Sequence, residues 1–227
     1  MPRIIFIPLL LLLSLPPQAQ AGSRLIDDFH NGAGPGWESK SFKGVTRYFP
    51  AVEDAVPCLR AEAEASASGL FYKIEYDAAA EPILTWSWKV DNIIAKGDAR
   101  TKGGDDYPAR IYVVFPSLLF WKTRALNYVW ATGLPEGTAL PNSFTSNAMM
   151  IAVESGPAHV GQWRHYRRNI YQDFRNFFGA EPPSVGAIAI MTDTDNTGEK
   201  ASACYGAIRV ESLAAAPHEA KPAAGGH

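Results

Sequence analysis

The chain has 227 residues, with 21 Lys and Arg against 23 Asp and Glu, a formal net charge of −2, and 47% hydrophobic residues. A balance so even, with no long run of one sign, leaves no electrostatic footprint for nucleic acid or an anionic membrane surface, while the length is enough to bury a proper core.

Residues 1–21 read as an export signal: Arg3 precedes Ile4-Ile5-Phe6-Ile7, an apolar run follows from Leu9 to Leu13, and Ala19-Gln20-Ala21 is a small-x-small cleavage site. The apolar stretch is too short for a membrane anchor. The mature chain is therefore expected to start at Gly22 and to be periplasmic or secreted. It then has 206 residues, with 20 basic against 23 acidic side chains and a net charge near −3. That length suits one large all-β domain over 22–213 better than two small ones. No later apolar run reaches the roughly 18 residues a spanning helix needs, because the longest, 111–121, is broken by Pro116 and Ser117.

Short β-patterned runs follow at 25–29, 45–49, 58–63, 70–76 and 83–90, with Gly, Pro, Asn and Asp between them. Along 83–90, Leu84, Trp86, Trp88 and Val90 share one face and Thr85, Ser87 and Lys89 the other. Trp86 and Trp88 could stack on sugar rings, but aliphatic neighbours on their face point to core. The loop 91–109 carries Lys96-Gly97-Asp98 and Gly103-Gly104-Asp105-Asp106-Tyr107, and its length marks it as functional or mobile.

The run 110–115 places Ile111, Val113 and Phe115 inward and Arg110, Tyr112 and Val114 outward. If it lies beside 83–90, Lys89, Ser87, Arg110 and Tyr112 form one polar patch. Asp105 and Asp106 are the best carboxylate pair, yet adjacent residues of an extended segment point to opposite sides. A glycosidase would need a partner carboxylate about 5 to 10 Å away, and Glu38, Glu154, Asp173 and Asp193 are candidates. The plainer alternative is that one of the two aspartates pairs with Arg110 and anchors the loop.

Runs at 126–131 and 148–154 flank a loop marked by Pro135, Gly137 and Pro141. The basic and aromatic stretch 162–169 either cradles an acidic sugar or is the solvated side of a strand. A helix is predicted over 171–178, stopped by Gly179 with Pro182-Pro183 beyond. After the run 185–192, Asp193, Asp195 and Gly198 match positions one, three and six of a calcium loop, but Thr197 and Cys204 stand at positions five and twelve. That rules out a helix-loop-helix calcium site and leaves calcium on Asp193 and Asp195 against a plain Asx-rich turn. The last run, 203–211, is followed by an Ala-, Pro- and Gly-rich stretch, 214–227, that reads as a disordered tail.

Cys58 and Cys204 would pair in an oxidising compartment or else act as buried small hydrophobes, and their spacing fits no structural zinc site. Gly-x-Ser-x-Gly, His-Glu-x-x-His and a phosphate-cradling glycine loop are all missing. The set Leu84-Thr85-Trp86-Ser87-Trp88-Lys89-Val90, Asp105-Asp106-Tyr107-Pro108-Ala109-Arg110-Ile111-Tyr112-Val113, Leu126-Asn127-Tyr128-Val129-Trp130, 163–173 and 192–197 resembles the exported bacterial family catalogued as domain of unknown function 3047. That resemblance implies export and a single domain and brings no established activity. The order of strands is similar to jelly-roll carbohydrate-binding modules, so the expected fold is all-β, a single jelly-roll-like β-sandwich with one short helix. The expected function is non-catalytic binding of a carbohydrate or another cell-envelope ligand through Lys89, Asp105, Asp106, Arg110 and Tyr112. A polysaccharide-cleaving enzyme using Asp105 or Asp106 and an envelope protein-interaction module are the alternatives.

Overall fold

The alternation along 83–90 sets the layers: Leu84, Trp86, Trp88 and Val90 are buried in one core, while Thr85 and Lys89 on the other face are only partly covered. The computed structural model describes residues 22–213, so the expected signal peptide 1–21 and tail 214–227 lie outside the described residues. The described strands are β1 (Ser23–Asp27), β2 (Trp37–Lys43), β3 (Arg47–Glu53), β4 (Val56–Glu64), β5 (Ala67–Tyr76), β6 (Ile83–Val90) and β7 (Arg110–Phe115). They continue as β8 (Arg124–Ala131), β9 (Ala139–Pro141), β10 (Ala148–Ser155), β11 (Arg164–Asn169), β12 (Val185–Asp193), β13 (Lys200–Tyr205) and β14 (Ile208–Glu211). One helix, α1 (Ile170–Phe178), joins β11 to β12.

Two sheets enclose this core as a jelly-roll-like β-sandwich. The first runs β1-β14-β6-β13-β4-β3, with β11 on β6 as well, and the second runs β2-β5-β12-β7-β8-β10-β9. All pairs are antiparallel except β8 with β10. The first sheet contributes Leu59, Trp86, Trp88 and Tyr205 to the core, and the second contributes Ile111, Phe115, Tyr128 and Ile190. Trp88 is fully buried, so truncating it to alanine would remove about 3 to 5 kcal/mol of stability. Among the described residues no helix is long and apolar enough to cross a membrane.

The sequence pattern misses β2 and β9 and merges β13 with β14, while the stretch 162–169 takes the strand alternative as β11. The merged run is interrupted at Gly206, whose N–H donates to the Ser87 carbonyl at 2.9 Å. A Cβ there would stand 2.2 Å from Ser87 Oγ and 3.2 Å from the Trp163 ring, so glycine lets the chain step from one half of β6 to the other without displacing them. Cys58 and Cys204, on adjacent strands β4 and β13, form a disulfide with Cα atoms 5.6 Å apart.

Helix α1 begins one residue before the predicted span. Asn169 caps it by accepting from the Gln172 N–H at 3.0 Å, and Gly179 ends it in the left-handed region at φ 62°. Phe174 packs on Phe115 at 4.5 Å. Asp173, buried beneath the helix, accepts from the Tyr128 hydroxyl at 2.7 Å and twice from Arg168 at 2.9 and 2.6 Å.

The loop 91–109 is pinned to the body. Glu199 accepts from the Ala95 and Lys96 N–H groups, Thr132 Oγ1 donates to the Ile94 carbonyl, and Ala99 and Tyr107 join Val129, Ala131, Leu134, Met150 and Ala152 in a second apolar cluster. Because Tyr128 and Trp130 face the main core, that cluster covers the outer side of the second sheet.

Candidate functional site

Arg110 and Tyr112 project from β7 onto this outer side. Arg110 stands opposite Met191 of β12 and Val129 of β8, and Tyr112 stands opposite Ala189 and Asn127. The Arg110 guanidinium is almost fully buried and paired with Asp193, with the Tyr107 ring 5.1 Å and the Tyr112 ring 5.5 Å from its carbon. Burial works against the charge of Arg110, but Asp193 outweighs it and keeps the guanidinium protonated. Burial likewise pushes the Asp193 carboxyl up, with Arg110 pulling it back, and pushes the Tyr112 phenol up to about 12. The partner of Arg110 is thus Asp193, and the aspartates of the loop serve other contacts.

Asp106 accepts from the Asn196 N–H, from Asn196 Nδ2 at 3.1 Å and from the Thr197 N–H at 2.6 Å, fixing the turn after β12. Asp105 accepts from Asn142 Nδ2 at 2.8 Å. Around them Asp105 Oδ1, Tyr107 OH, Arg110 Nε, Asn127 Oδ1 and Ser143 Oγ are buried without a hydrogen-bond partner among the described residues. Such gatherings of unpaired polar atoms are rare in native interiors. Carboxylate oxygens of Asp106, Asp193 and Asp195 lie within 4.8 Å of one another. The two expected metal ligands, Asp193 and Asp195, thus come together with Asp106. Backbone and amide N–H groups hold Asp106, and the guanidinium of Arg110 holds Asp193.

Lys89 does not share this face. β6 pairs with β11, β13 and β14 in the first sheet, so the long loop carries the chain across to the other sheet before β7 begins. Lys89 Nζ instead meets Asp54 at 2.8 Å and Glu53 at 3.5 Å, and the combined patch with Arg110 and Tyr112 is not formed. Trp86 and Trp88 are core residues and no sugar platform.

In place of Lys89 the outer face sets beside Tyr112 two aromatics that the pattern did not single out, Phe42 and Phe71. Phe42, Phe71 and Tyr112 form a row across β2, β5 and β7, with ring centroids 6.5 and 6.4 Å apart, and Lys40 Nζ lies 5.1 Å from the Phe42 ring. Phe42 is 56% exposed, and Phe71 and Tyr112 are half-buried. The signal was present in β5, where Leu70 and Tyr72 face the core and Phe71 between them must face away.

The stretch 162–169 becomes β11 and feeds a different cluster. Buried Glu154 accepts from His159 Nδ1 at 3.0 Å, the Ser155 N–H, Arg164 Nε at 2.8 Å and the Tyr166 hydroxyl at 3.0 Å. Burial alone would raise the Glu154 pKa; these hydrogen bonds overcome it and hold the carboxyl below its usual range.

No curated protein matches the chain. Among solved structures it is similar to an adhesin domain of Lys-gingipain from Porphyromonas gingivalis, with 14% identity, a TM-score of 0.42, and 85% of this chain and 98% of that one covered. A family 29 carbohydrate-binding module from Piromyces equi matches at 11% identity and a TM-score of 0.38, covering 87% and 95%. Winged bean acidic lectin, complexed with methyl-α-D-galactose, matches at 10% identity and a TM-score of 0.42, covering 85% and 99%. The family described as "Protein of unknown function (DUF3047)" matches over residues 35–209, and the chain belongs to that family.

Proposed function

We propose that the protein is a non-catalytic binding module, acting outside the cytoplasm, whose outer face on the second sheet takes a carbohydrate. The observation that carries this reading is the row Phe42, Phe71 and Tyr112, with Lys40 beside it, on the solvent side of a sheet. A sugar ring offers an apolar C–H face and a rim of hydroxyls, and it is recognised where aromatic surface adjoins hydrogen-bonding groups. Exposed aromatics in a row cost solvation that a bound ring would relieve.

The loop carboxylates support binding over cleavage. Asp105 and Asp106 are 6% and 2% exposed, and Asp106 is engaged by backbone N–H groups, so neither presents an accessible oxygen to a glycosidic bond.

A glycan array followed by calorimetry on any hit tests the proposal. Phe42→Ala and Tyr112→Ala should each weaken binding by roughly five- to tenfold, in line with about 1 kcal/mol or more per aromatic contact. Unchanged affinity in both variants, or turnover of the bound glycan by the purified protein, would overturn it.

A further inference from the structure

The loop between β7 and β8 exposes four consecutive large apolar side chains. Leu118 is 107% exposed, Leu119 42%, Phe120 80% and Trp121 58%. Nothing about the loop is slack. Lys122 N–H donates to the Leu119 carbonyl at 2.7 Å and Thr123 N–H to the Phe120 carbonyl at 3.1 Å, closing a single 3-10 turn over Phe120–Lys122. Ser117 N–H reaches Thr123 Oγ1 at the base, and Asn147 Nδ2 donates to the Trp121 carbonyl at 2.7 Å. The backbone is held while the side chains project, and the neighbouring turn tied in by Asn147 adds Phe144, 55% exposed, with Lys102 above its ring.

We infer that this tip inserts into the interfacial region of a lipid bilayer and attaches the protein to a membrane surface. Two features favour a bilayer over a protein groove or a second copy of the chain. The tip's composition, leucines and Phe with Trp and Lys at the margin, is that of side chains which settle at the headgroup level. Lys122 and Arg124 follow the apolar run, and no carboxylate occurs in the sequence between Pro116 and Glu136, so the loop itself complements anionic headgroups although Glu181 lines the groove beside it and the whole chain is slightly acidic. This attachment is independent of the proposed glycan face, because it uses none of the residues in the aromatic row.

Vesicle flotation separates the outcomes, with phosphatidylethanolamine vesicles prepared with and without phosphatidylglycerol. The wild-type chain should float with the vesicles, more tightly when phosphatidylglycerol is present and less so at high salt. Leu118→Ser and Phe120→Ser should each lower the partition constant by roughly tenfold or more, since each removes most of a large apolar side chain from the interface. Lys122→Ala should lower both the affinity and its salt dependence. Trp121 should shift its emission to the blue on vesicles, seen as the difference between wild type and Trp121→Phe. The inference fails if wild type does not float, if the chain carrying Leu118→Ser and Phe120→Ser together floats equally well, or if the same substitutions instead dissolve a concentration-dependent dimer in sedimentation.

Discussion

Removing one member of the Arg110–Asp193 pair should be among the most destabilising single changes on the outer face. Both side chains are nearly inaccessible, at 6% and 1% exposure, so solvent screening gives little relief to whichever charge is left behind. Breaking a buried pair by deleting one partner costs about 3 to 5 kcal/mol. Arg110→Met keeps much of the stem's packing but strands the Asp193 carboxylate, and Asp193→Leu strands the guanidinium. For a domain of this size the loss corresponds to a fall in Tm of roughly 6 to 20 °C. The double substitution removes both members of the pair and strands neither, so it should cost well under the sum of the two single changes. Urea unfolding of the four proteins, read by fluorescence and circular dichroism, closes the cycle. Single variants costing under about 1 kcal/mol, or a double variant matching the additive sum, would refute the argument that a desolvated pair organises this face.

The disulfide and the Glu154 cluster give two further tests. Cys58 and Cys204 are 146 residues apart, so reduction, or Cys58→Ser with Cys204→Ser, should lower stability by about 2 to 5 kcal/mol; two alkylatable thiols in unreduced protein would show that the bridge is not formed. The Glu154 carboxyl is held below its ordinary value of 4.5 by His159, Tyr166, Ser155 and Arg164, so its contribution to stability is complete above about that pH and is lost as pH falls through the depressed folded value. Glu154→Gln should therefore flatten the acid limb of a stability–pH profile, and a limb of unchanged slope would count against the cluster.

The two sheets were legible where burial alternates strictly. Leu84, Trp86, Trp88 and Val90 lie inward as period two requires, and Gly179 ends the helix where expected. Edge strands were less legible, since β2 is solvent-exposed along nearly its whole length and β11, a run of charge and aromatics, could be read as a strand only as one of two alternatives. Their hydrogen bonds come from the neighbouring strand, and no apolar face of their own advertises it. The same limit explains Lys89. Strands adjacent in sequence usually neighbour in space, but the loop 91–109 crosses between sheets, and nothing in its composition states which edge it passes. Arg110 found its partner 83 residues away for a related reason: β7 and β12 are paired by register, a long-range property that local spacing does not encode.

What the loop carboxylates do follows from where β7 and β12 meet. Asp106 fixes the turn after β12, Asp193 at the end of β12 holds Arg110 at the start of β7, and the Arg110 guanidinium lies against Tyr112. Each link ties a loop to the outer face of the second sheet, and the last one ends on a member of the aromatic row. The acidic residues that look catalytic in the sequence therefore act on the face as supports. Arg110→Met and Tyr112→Ala should then separate in their effects. Tyr112→Ala removes contact surface and weakens glycan binding with a smaller loss of stability than Arg110→Met, whereas Arg110→Met lowers stability first and binding only as the face loosens. If Arg110→Met left stability intact and abolished binding, the guanidinium would be touching ligand directly, and its place as a support would have to be given up.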